Sequence, residues 1–320
     1  MNATSIGPSF DVVTFGETMV LFAPAERGSL EWAPAYHGSI GGAESNCAIG
    51  LARLGHSVCW VSRLGRDPFG SRVLKTLRGE GVDVSRVDIC DRAPTGIMFK
   101  EPGPGNTTRI FYYRRHSAAA ALRAEPFDSL NGKYLFVTGI TPALSDSNRQ
   151  LTFELVDRFR GSGAKVAFDP NMRFRLWDPK EARVVFLELA QNCDLLIPSL
   201  AEGEILTGLT DHQPMLDKLL SLGPSQVVLK AGDQGAWYAD GVERGFCPCY
   251  QAAEIDPVGA GDAFCAGLLS GLLDGQPLRD AVKRGAALGA LCVSTFGDYQ
   301  GLPDRLGLQA FTEGKSAPGR

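Results

Sequence analysis

The chain has 320 residues, of which 44% are hydrophobic and 21% charged, with a formal net charge of −4 and a pI near 5.7. This length suits one large domain or two modest ones, and the acidic balance argues against a general binder of nucleic acids or anionic membranes. Without a signal-peptide pattern or a run of 18 apolar residues, we expect a cytoplasmic protein that binds neither nucleic acid nor membrane.

The first third of the sequence alternates strand and helix patterns. Residues 11–22 and 58–65 are rich in apolar residues and predict strands. Residues 41–55 (GGAESNCAIGLARLG) and 67–81 (DPFGSRVLKTLRGEG) have helical patterns, and Gly55 is placed to end the first helix. This order is typical of an α/β protein.

Two segments depart from that alternation. Residues 18–40 predict strands, and residues 95–115 predict a hairpin in which TGIMFK and TTRIFYYRR flank the Gly/Pro turn EPGPGN. We expect the two segments to form a small sheet, here called the lid, over the carboxyl edge of the main sheet. The exposed strand edges of such a lid favour pairing with a second copy, so we expect a homo-oligomer, either a dimer or a dimer-built assembly.

Four short apolar runs in the second half predict buried strands. They are residues 134–139, 165–170, 194–199 and 226–232. Helical patterns lie between them, as in 147–161, where apolar residues recur every four positions. Strands that alternate with helices predict a mostly parallel sheet covered by helices on both faces. We therefore expect one domain over 1–310, with the lid strands inserted from about 18–40 and 95–115, and a polar tail at 311–320.

Eight cysteines and four histidines are scattered along the sequence without metal-ligand spacing. The nearest pair, Cys247 and Cys249, has the pattern C-P-C, which differs from the C-x-x-C of zinc sites. These cysteines are therefore expected to be reduced thiols, and no zinc site is expected.

The stretch DPVGAGDAF (256–264) precedes an apolar helical run and therefore predicts a loop that delivers amides at a helix N-terminus. Gly259 and Gly261 lack Cβ atoms, so a phosphate can approach the backbone there. Taken alone, Asp262 also fits an ordinary first-turn acid that favours the helix dipole. The GKS at 314–316 is no phosphate loop, because Gln309 stands where the first glycine of that motif belongs.

DPVGAGD (256–262) and GGAESNCAIGLARLG (41–55) resemble the two signature motifs of the ribokinase-like carbohydrate kinase family, and the resemblance extends from Phe15 to Pro303. It implies a ribokinase-like three-layer α/β/α sandwich, with a small β-sheet lid, that uses ATP and Mg²⁺. It also implies that Asp262 is the general base. The amides that it assigns to the anion hole are those of Gly259, Ala260 and Gly261.

Two alternatives from other functional classes fit the sequence less well. A sugar- or nucleotide-binding regulator with a dead loop has no use for the intact Asp262, which repels phosphate. A dinucleotide-dependent dehydrogenase requires G-x-G-x-x-G after the first strand, where this sequence has Gly16, Glu17 and Thr18.

On the nucleotide side, VVLKAGDQGAWY (227–238) resembles the family's strand and turn beside ATP, although Gly-Asp-Gly residues also fit a plain hairpin. The implied nucleotide contacts are Ser199, Lys230, Gly232, Gly235, Gly259 and Gly261. Glu202 stands at the family's position for an indirect magnesium contact, but Ser199 replaces the asparagine three residues before it. Gly285 likewise replaces an asparagine near the adenine. Some relatives bind a monovalent cation, and no residue of this sequence decides that question.

The acceptor side is implied by a narrower resemblance. IFYYRRHSAAAAL (110–122) and DPNMRFRLW (169–177) resemble stretches of 2-keto-3-deoxygluconate kinases, and arginines and tyrosines suit a carboxylate. The implied substrate contacts are Gly41, Gly42, Asn46, Tyr112, Arg114, Arg173, Asp262 and Asp298. Fructokinases share parts of both stretches and are the main alternative, ahead of other sugar and nucleoside kinases of the family. We expect ATP-dependent phosphorylation of 2-keto-3-deoxygluconate to its 6-phosphate.

Overall fold

The computed structural model describes residues 9–26, 28–103 and 107–314, so residues 104–106 of the predicted turn at 101–106 and residues 315–320 of the predicted tail lie outside the described residues. The described strands are β1 (Ser9–Phe15), β2 (Met19–Pro24), β3 (Tyr36–Gly41), β4 (Val58–Val61), β5 (Arg63–Gly65), β6 (Asp88–Cys90), β7 (Ile97–Pro102), β8 (Thr108–Tyr113), β9 (Asn131–Thr138), β10 (Lys165–Asp169), β11 (Leu195–Leu196), β12 (Gln226–Lys230), β13 (Gly235–Asp240) and β14 (Arg244–Pro248). The α-helices are α1 (Ala43–Arg53), α2 (Pro68–Gly79), α3 (Asp146–Gly161), α4 (Pro179–Gln191), α5 (Leu200–Thr207), α6 (His212–Leu220), α7 (Ala260–Leu273), α8 (Leu278–Val293) and α9 (Arg305–Thr312).

The main sheet has eight strands in the order β14-β13-β12-β11-β10-β9-β1-β4. The six strands from β12 to β4 are parallel, whereas β13 and β14 add an antiparallel edge. The four buried runs predicted in the second half of the sequence are β9, β10, β11 and β12. The prediction of a mostly parallel sheet is confirmed.

Side chains alternate between the two faces of this sheet, as successive residues of a strand must. In β9, Phe136 packs with α1, α7 and α8, whereas Leu135 and Val137 pack with α3, α4 and α6 on the opposite face. Each fully buried side chain of this kind contributes about 1.5–3 kcal/mol. Two apolar cores on opposite faces make the predicted three-layer sandwich.

The apolar run 11–22 is two strands rather than the single strand that we predicted. The chain leaves the main sheet at Gly16, where a Cβ atom would lie 2.4 Å from the carboxyl carbon of Glu44. It then enters the lid as β2, which pairs with β3 and β7. The run 58–65 is also divided, between β4 in the main sheet and β5 in a two-stranded sheet with β6. Apolar character alone does not show that one run serves two sheets.

The lid is a four-stranded sheet in the order β3-β2-β7-β8, as the two irregular segments predicted. A small apolar cluster forms one side of it, from Met19, Leu21, Ala23 and Met98, with Ile110 and Tyr112 packed against them. Its outer strands are β3 and β8, which leaves one edge of each without a strand neighbour among the described residues. The lid therefore has one side of apolar and aromatic residues and two edges that no described strand covers.

The C-terminal helix α9 extends to Thr312, so the first residues of the predicted tail are helical. Phe311 packs against Tyr250, with the two ring centroids 5.4 Å apart. None of the helices in the described ranges has the length and apolar character that crossing a bilayer requires.

Candidate active site

A cleft of about 530 Å³ lies between the lid and the carboxyl ends of the parallel strands, the usual place for ligands in open α/β sheets. Most of the residues predicted to act in the site line it. They are Gly41, Gly42, Asn46, Tyr112, Arg114, Arg173, Ser199, Glu202, Lys230, Gly232, Gly259, Gly261, Asp262 and Asp298. Ala260 and Gly235 do not line the cleft. The fold thus brings residues from both ends of the chain to one place.

Asp262 lies in the first turn of α7, and its side chain is held by two amides. Asn46 Nδ2 donates to Asp262 Oδ2 at 2.8 Å, and Asn171 Nδ2 donates to Asp262 Oδ1 at 3.2 Å. Burial raises the pKa of Asp262 to about 7, although the Asn46 bond and the charge of Arg173 oppose the rise. A carboxyl group with this pKa exchanges a proton readily near neutral pH, as a general base must.

The loop before Asp262 brings backbone amides to the cleft. Gly259 caps α7 with φ of 89°, and a Cβ atom there would lie 2.1 Å from the carbonyl oxygen of Asp298. The first-turn amides of a helix have no intrahelical acceptor and carry the positive end of the dipole. Of the three amides predicted for the anion hole, that of Ala260 is 3.4 Å from Pro257 O, whereas Gly259 and Gly261 border the cleft.

Lys230, at the end of β12, supplies a positive charge beside this loop. Its Nζ atom lies 2.6 Å from Oδ2 of the buried Asp169, at the end of β10, and 3.8 Å from where a Cβ atom of Gly261 would be. Burial opposes the charged ammonium, but Asp169 outweighs that effect and raises the pKa of Lys230. The lysine therefore remains protonated near the glycines that border the cleft.

Glu202 and Ser199 form a capping box at the start of α5. Glu202 Oε2 accepts hydrogen bonds from the backbone amide of Ser199 at 2.7 Å and from its hydroxyl at 2.8 Å, while Oε1 accepts one from the Met172 amide at 2.6 Å. Over the described ranges, no group of three or more His, Cys, Asp or Glu side chains could hold a metal ion. Mg²⁺ usually keeps several waters and binds through nucleotide phosphates with one or two carboxylates, a need that Glu202 can meet.

The two arginines predicted to contact the acceptor both line the cleft, but their surroundings differ. Arg114 Nε lies 2.5 Å from Oε2 of the buried Glu17, and its guanidinium lies over the Tyr112 ring at 5.7 Å. Even so, Arg114 Nη2 is buried without a hydrogen-bond acceptor in the described part of the chain. Arg173 is exposed and forms no ion pair within the described residues. Both guanidinium groups therefore have donors available for a ligand.

Polar and small residues complete this side. Asn46 Oδ1 is buried and lacks a donor within the described residues. A Cβ atom at Gly41 would lie 2.5 Å from Met98 Cε and 2.6 Å from Asp298 Oδ2, and one at Gly42 would lie 2.3 Å from Glu17 O. Close packing therefore requires glycine at both positions, and Asn46, on the helix that follows them, lines the cleft.

A sequence model described as pfkB family carbohydrate kinase matches residues 9–305. The chain belongs to this family. It is 42% identical to the 2-dehydro-3-deoxygluconokinase of Bacillus subtilis (strain 168), over 94% of this chain and 95% of that one. It is 32% identical to Fructokinase-1 of Oryza sativa subsp. japonica, over 93% and 96% of the two chains.

The crystal structure of the PfkB protein from Polaromonas sp. JS666 is similar throughout. The TM-score is 0.85 at 38% identity, and the match covers 94% of this chain and 99% of that one. These similarities confirm the predicted family, fold and enzyme class. The protein is a sugar kinase, and hence a phosphotransferase.

Two residues near the kinase's cleft were missed from the sequence. Asn171, with φ of 39°, donates to Asp262 and lies inside the D-P-N-x-R stretch that singled out Arg173, so a signal for it was present. Lys100 had no local signal, because its carboxylate partners lie more than 150 residues away in sequence.

Gly235 shows why the turn at 232–235 was ambiguous. Its φ is 127°, and a Cβ atom there would lie 2.1 Å from the carbonyl oxygen of Cys247 in β14. The close approach of β13 to β14 therefore requires glycine at this position, which is what the plain-hairpin alternative predicted. Gly232, three residues earlier, does border the cleft.

Proposed function

We propose that this sugar kinase transfers the γ-phosphoryl group of ATP to the terminal hydroxyl of 2-keto-3-deoxygluconate, giving ADP and the 6-phosphate. The observation that carries the proposal is that Arg114 and Arg173 face the same cleft as Asp262, with hydrogen-bond donors available. The similarity to a 2-dehydro-3-deoxygluconokinase, another name for this activity, supports it.

The chemistry of the acceptor follows from charge. A sugar acid carries a carboxylate, which forms strong charge-assisted bonds with guanidinium groups. Arg173 offers a positive charge without an ion pair in the described part of the chain, and Arg114, whose charge is paired with Glu17, offers its buried Nη2 donor. A neutral ketose such as fructose offers only hydroxyl groups to these donors. The unpaired charge of Arg173, helped by the Nη2 donor of Arg114, thus favours the acid over fructose.

The transfer step assigns one role to each part of the loop. The acceptor hydroxyl oxygen forms a bond to the γ-phosphorus, the bond from that phosphorus to the ADP oxygen breaks, and Asp262 takes the hydroxyl proton. The amides of Gly259 and Gly261, with Ala260 between them, stabilise charge on the transferring group. Asn46 and Asn171 hold the Asp262 carboxylate in place.

The nucleotide side is proposed from the same geometry. Lys230 and Gly232 lie where the cleft can take the phosphates of ATP, and Ser199 borders the same region. Mg²⁺, when bound with the nucleotide, supplies charge neutralisation on the phosphates. Glu202 is the carboxylate proposed to hold it through water. The lid excludes water, so that ATP is not hydrolysed instead.

We also propose that the lid pairs two copies of the chain. The outer strands β3 and β8 each have an edge without a strand partner in the described residues, and Tyr36 and Tyr113 on them are exposed. An edge strand is a template for another chain. Light scattering on the purified protein tests this, since a monomer at micromolar concentration would contradict it.

The acceptor is tested by coupled ADP release with 2-keto-3-deoxygluconate, fructose, ribose and adenosine, using the Asp262→Asn variant as the control for background ATPase. We expect kcat/KM to be at least tenfold higher for the keto acid than for any other acceptor. Higher kcat/KM for fructose would make the protein a fructokinase. Nucleotide binding without turnover of any acceptor would favour the binding regulator instead.

A further inference from the structure

Lys100 is a buried lysine that the transfer step above does not use. It projects from the lid strand β7, and only 1% of its side chain is exposed. Its ammonium forms ion pairs with two buried carboxylates, those of Asp256 and of Asp298, the second at 3.0 Å. The Phe296 ring lies 5.5 Å from Nζ. Lys100 does not line the cleft, so it does not reach the reacting groups.

The two carboxylates connect the lysine to the phosphate loop. Asp256 begins that loop, and its Oδ1 accepts a hydrogen bond from the Val258 amide at 3.2 Å. Its Oδ2 accepts one from the Gly297 amide at 3.0 Å. Asp298, the next residue, has its carbonyl oxygen against Gly259, where a Cβ atom would lie only 2.1 Å away. One ammonium thus joins the lid, the loop and the segment that packs on the loop.

Electrostatics explains why the two buried carboxylates require the ammonium of Lys100. Two carboxylates that are almost wholly buried repel one another strongly unless a positive charge lies between them. Without the ammonium, the pair must separate, take up a proton or bind a cation from solution. Separation would move the Gly259 amide, and a displacement of about 1 Å at a catalytic group can cost roughly 100-fold in rate.

We propose that Lys100 is a positioning residue whose ammonium acts as a built-in cation, holding Asp256 and Asp298 together so that the loop amides are in place for phosphoryl transfer. The kinase is then independent of monovalent cations from solution. This inference rests on the proposed role of the loop and not on the choice of acceptor. Its assays therefore use whichever acceptor gives the highest turnover.

The first test measures the parent enzyme with K⁺, Na⁺ or tetramethylammonium as the main cation at equal ionic strength. We expect turnover to agree within twofold, and a requirement for K⁺ would overturn the proposal. This measurement needs no variant, so it decides the question even if substitutions at Lys100 prevent folding.

The second test removes the ammonium. Lys100→Met should lower kcat by about 10- to 100-fold while KM for the nucleotide stays within about threefold, because Lys100 does not line the cleft. Lys133→Met is the matched control, since Lys133 pairs with Asp11 at 2.8 Å on the exposed surface. For Lys100→Ala, we expect methylammonium, ammonium or K⁺ to restore kcat at least tenfold, with no effect on the parent.

Two outcomes would overturn the proposal: kcat of Lys100→Met within twofold of the parent, or a loss in Lys100→Ala that no cation restores. A merely structural lysine would give the latter result. Failure of the loop's own proposed role is recognised separately, because Asp262→Asn would then retain turnover.

Discussion

The kcat/KM of the kinase for its sugar acceptor should rise with pH up to about 7 and level off above it. Asp262 accepts a proton only as a carboxylate, and burial raises its pKa to about 7. The carboxylate fraction is then roughly one tenth at pH 6 and roughly one hundredth at pH 5, whereas an ordinary aspartate would stay ionised over most of that range. We therefore expect kcat/KM to fall about tenfold for each pH unit below 7.

The assay is initial-rate ADP release from pH 5.5 to 8, for the parent and for Asp262→Asn. The variant should lose about 10²- to 10⁴-fold in kcat, the usual contribution of a positioned general base, while nucleotide affinity stays within a few-fold. Its residual activity reports the pH dependence of every other group, including the nucleotide. Two results would refute the reasoning: retained turnover in Asp262→Asn, or the same acid limb in both proteins.

Two further predictions concern the acceptor and the loop. Arg173→Ala should lower kcat/KM for the keto acid by about 10- to 150-fold, because a hydrogen bond to a charged group contributes about 1.5–3 kcal/mol. The control is Arg160→Ala, since Arg160 is an exposed arginine on α3. An equal loss of kcat/KM with fructose would contradict the carboxylate contact. Gly259→Ala should lower Tm by roughly 5 °C or more, because φ is 89° and the new Cβ atom would lie 2.1 Å from Asp298 O. Gly261→Ala should change Tm little, since the atom nearest to the new Cβ would be Lys230 Nζ at 3.8 Å. It should nevertheless lower kcat, because the added methyl group lies at the cleft. Equal Tm values for Gly259→Ala and Gly261→Ala would contradict this reasoning.

Much of the architecture could be predicted because the parallel strands are buried on both faces. Such strands are continuous apolar runs, as in 134–139 and 165–170, and they can be recognised without knowing their neighbours. The division of 11–22 between two sheets could not be predicted in this way. It depends on strand pairing with segments far away in the sequence, since β1 pairs with β4 and β9 whereas β2 pairs with β3 and β7.

The candidate active site likewise has residues that could be predicted from the sequence and residues that could not. The local features of DPVGAGD, namely a helix N-terminus, small residues and a carboxylate, predicted a loop that brings amides to an anion, whereas the role of Asp262 as the base was implied by the family resemblance. Lys100 was missed, since its proposed role depends on ion pairs with Asp256 and Asp298, which are far from it in the sequence. The reason for a glycine at position 235 could not be predicted either, because it is the close approach of the neighbouring strand β14.

The sequence by itself determined the kinase family, the order of strands and helices, and which side chains are candidates for catalysis and for binding the acceptor. The tertiary structure decided the burial and the charged neighbours of those side chains. It buries Asp262 and thereby raises its pKa to about 7, pairs Arg114 with Glu17, and leaves Arg173 without an ion pair in the described chain. Burial and long-range charge are properties of the packed chain, so no local stretch of sequence contains them.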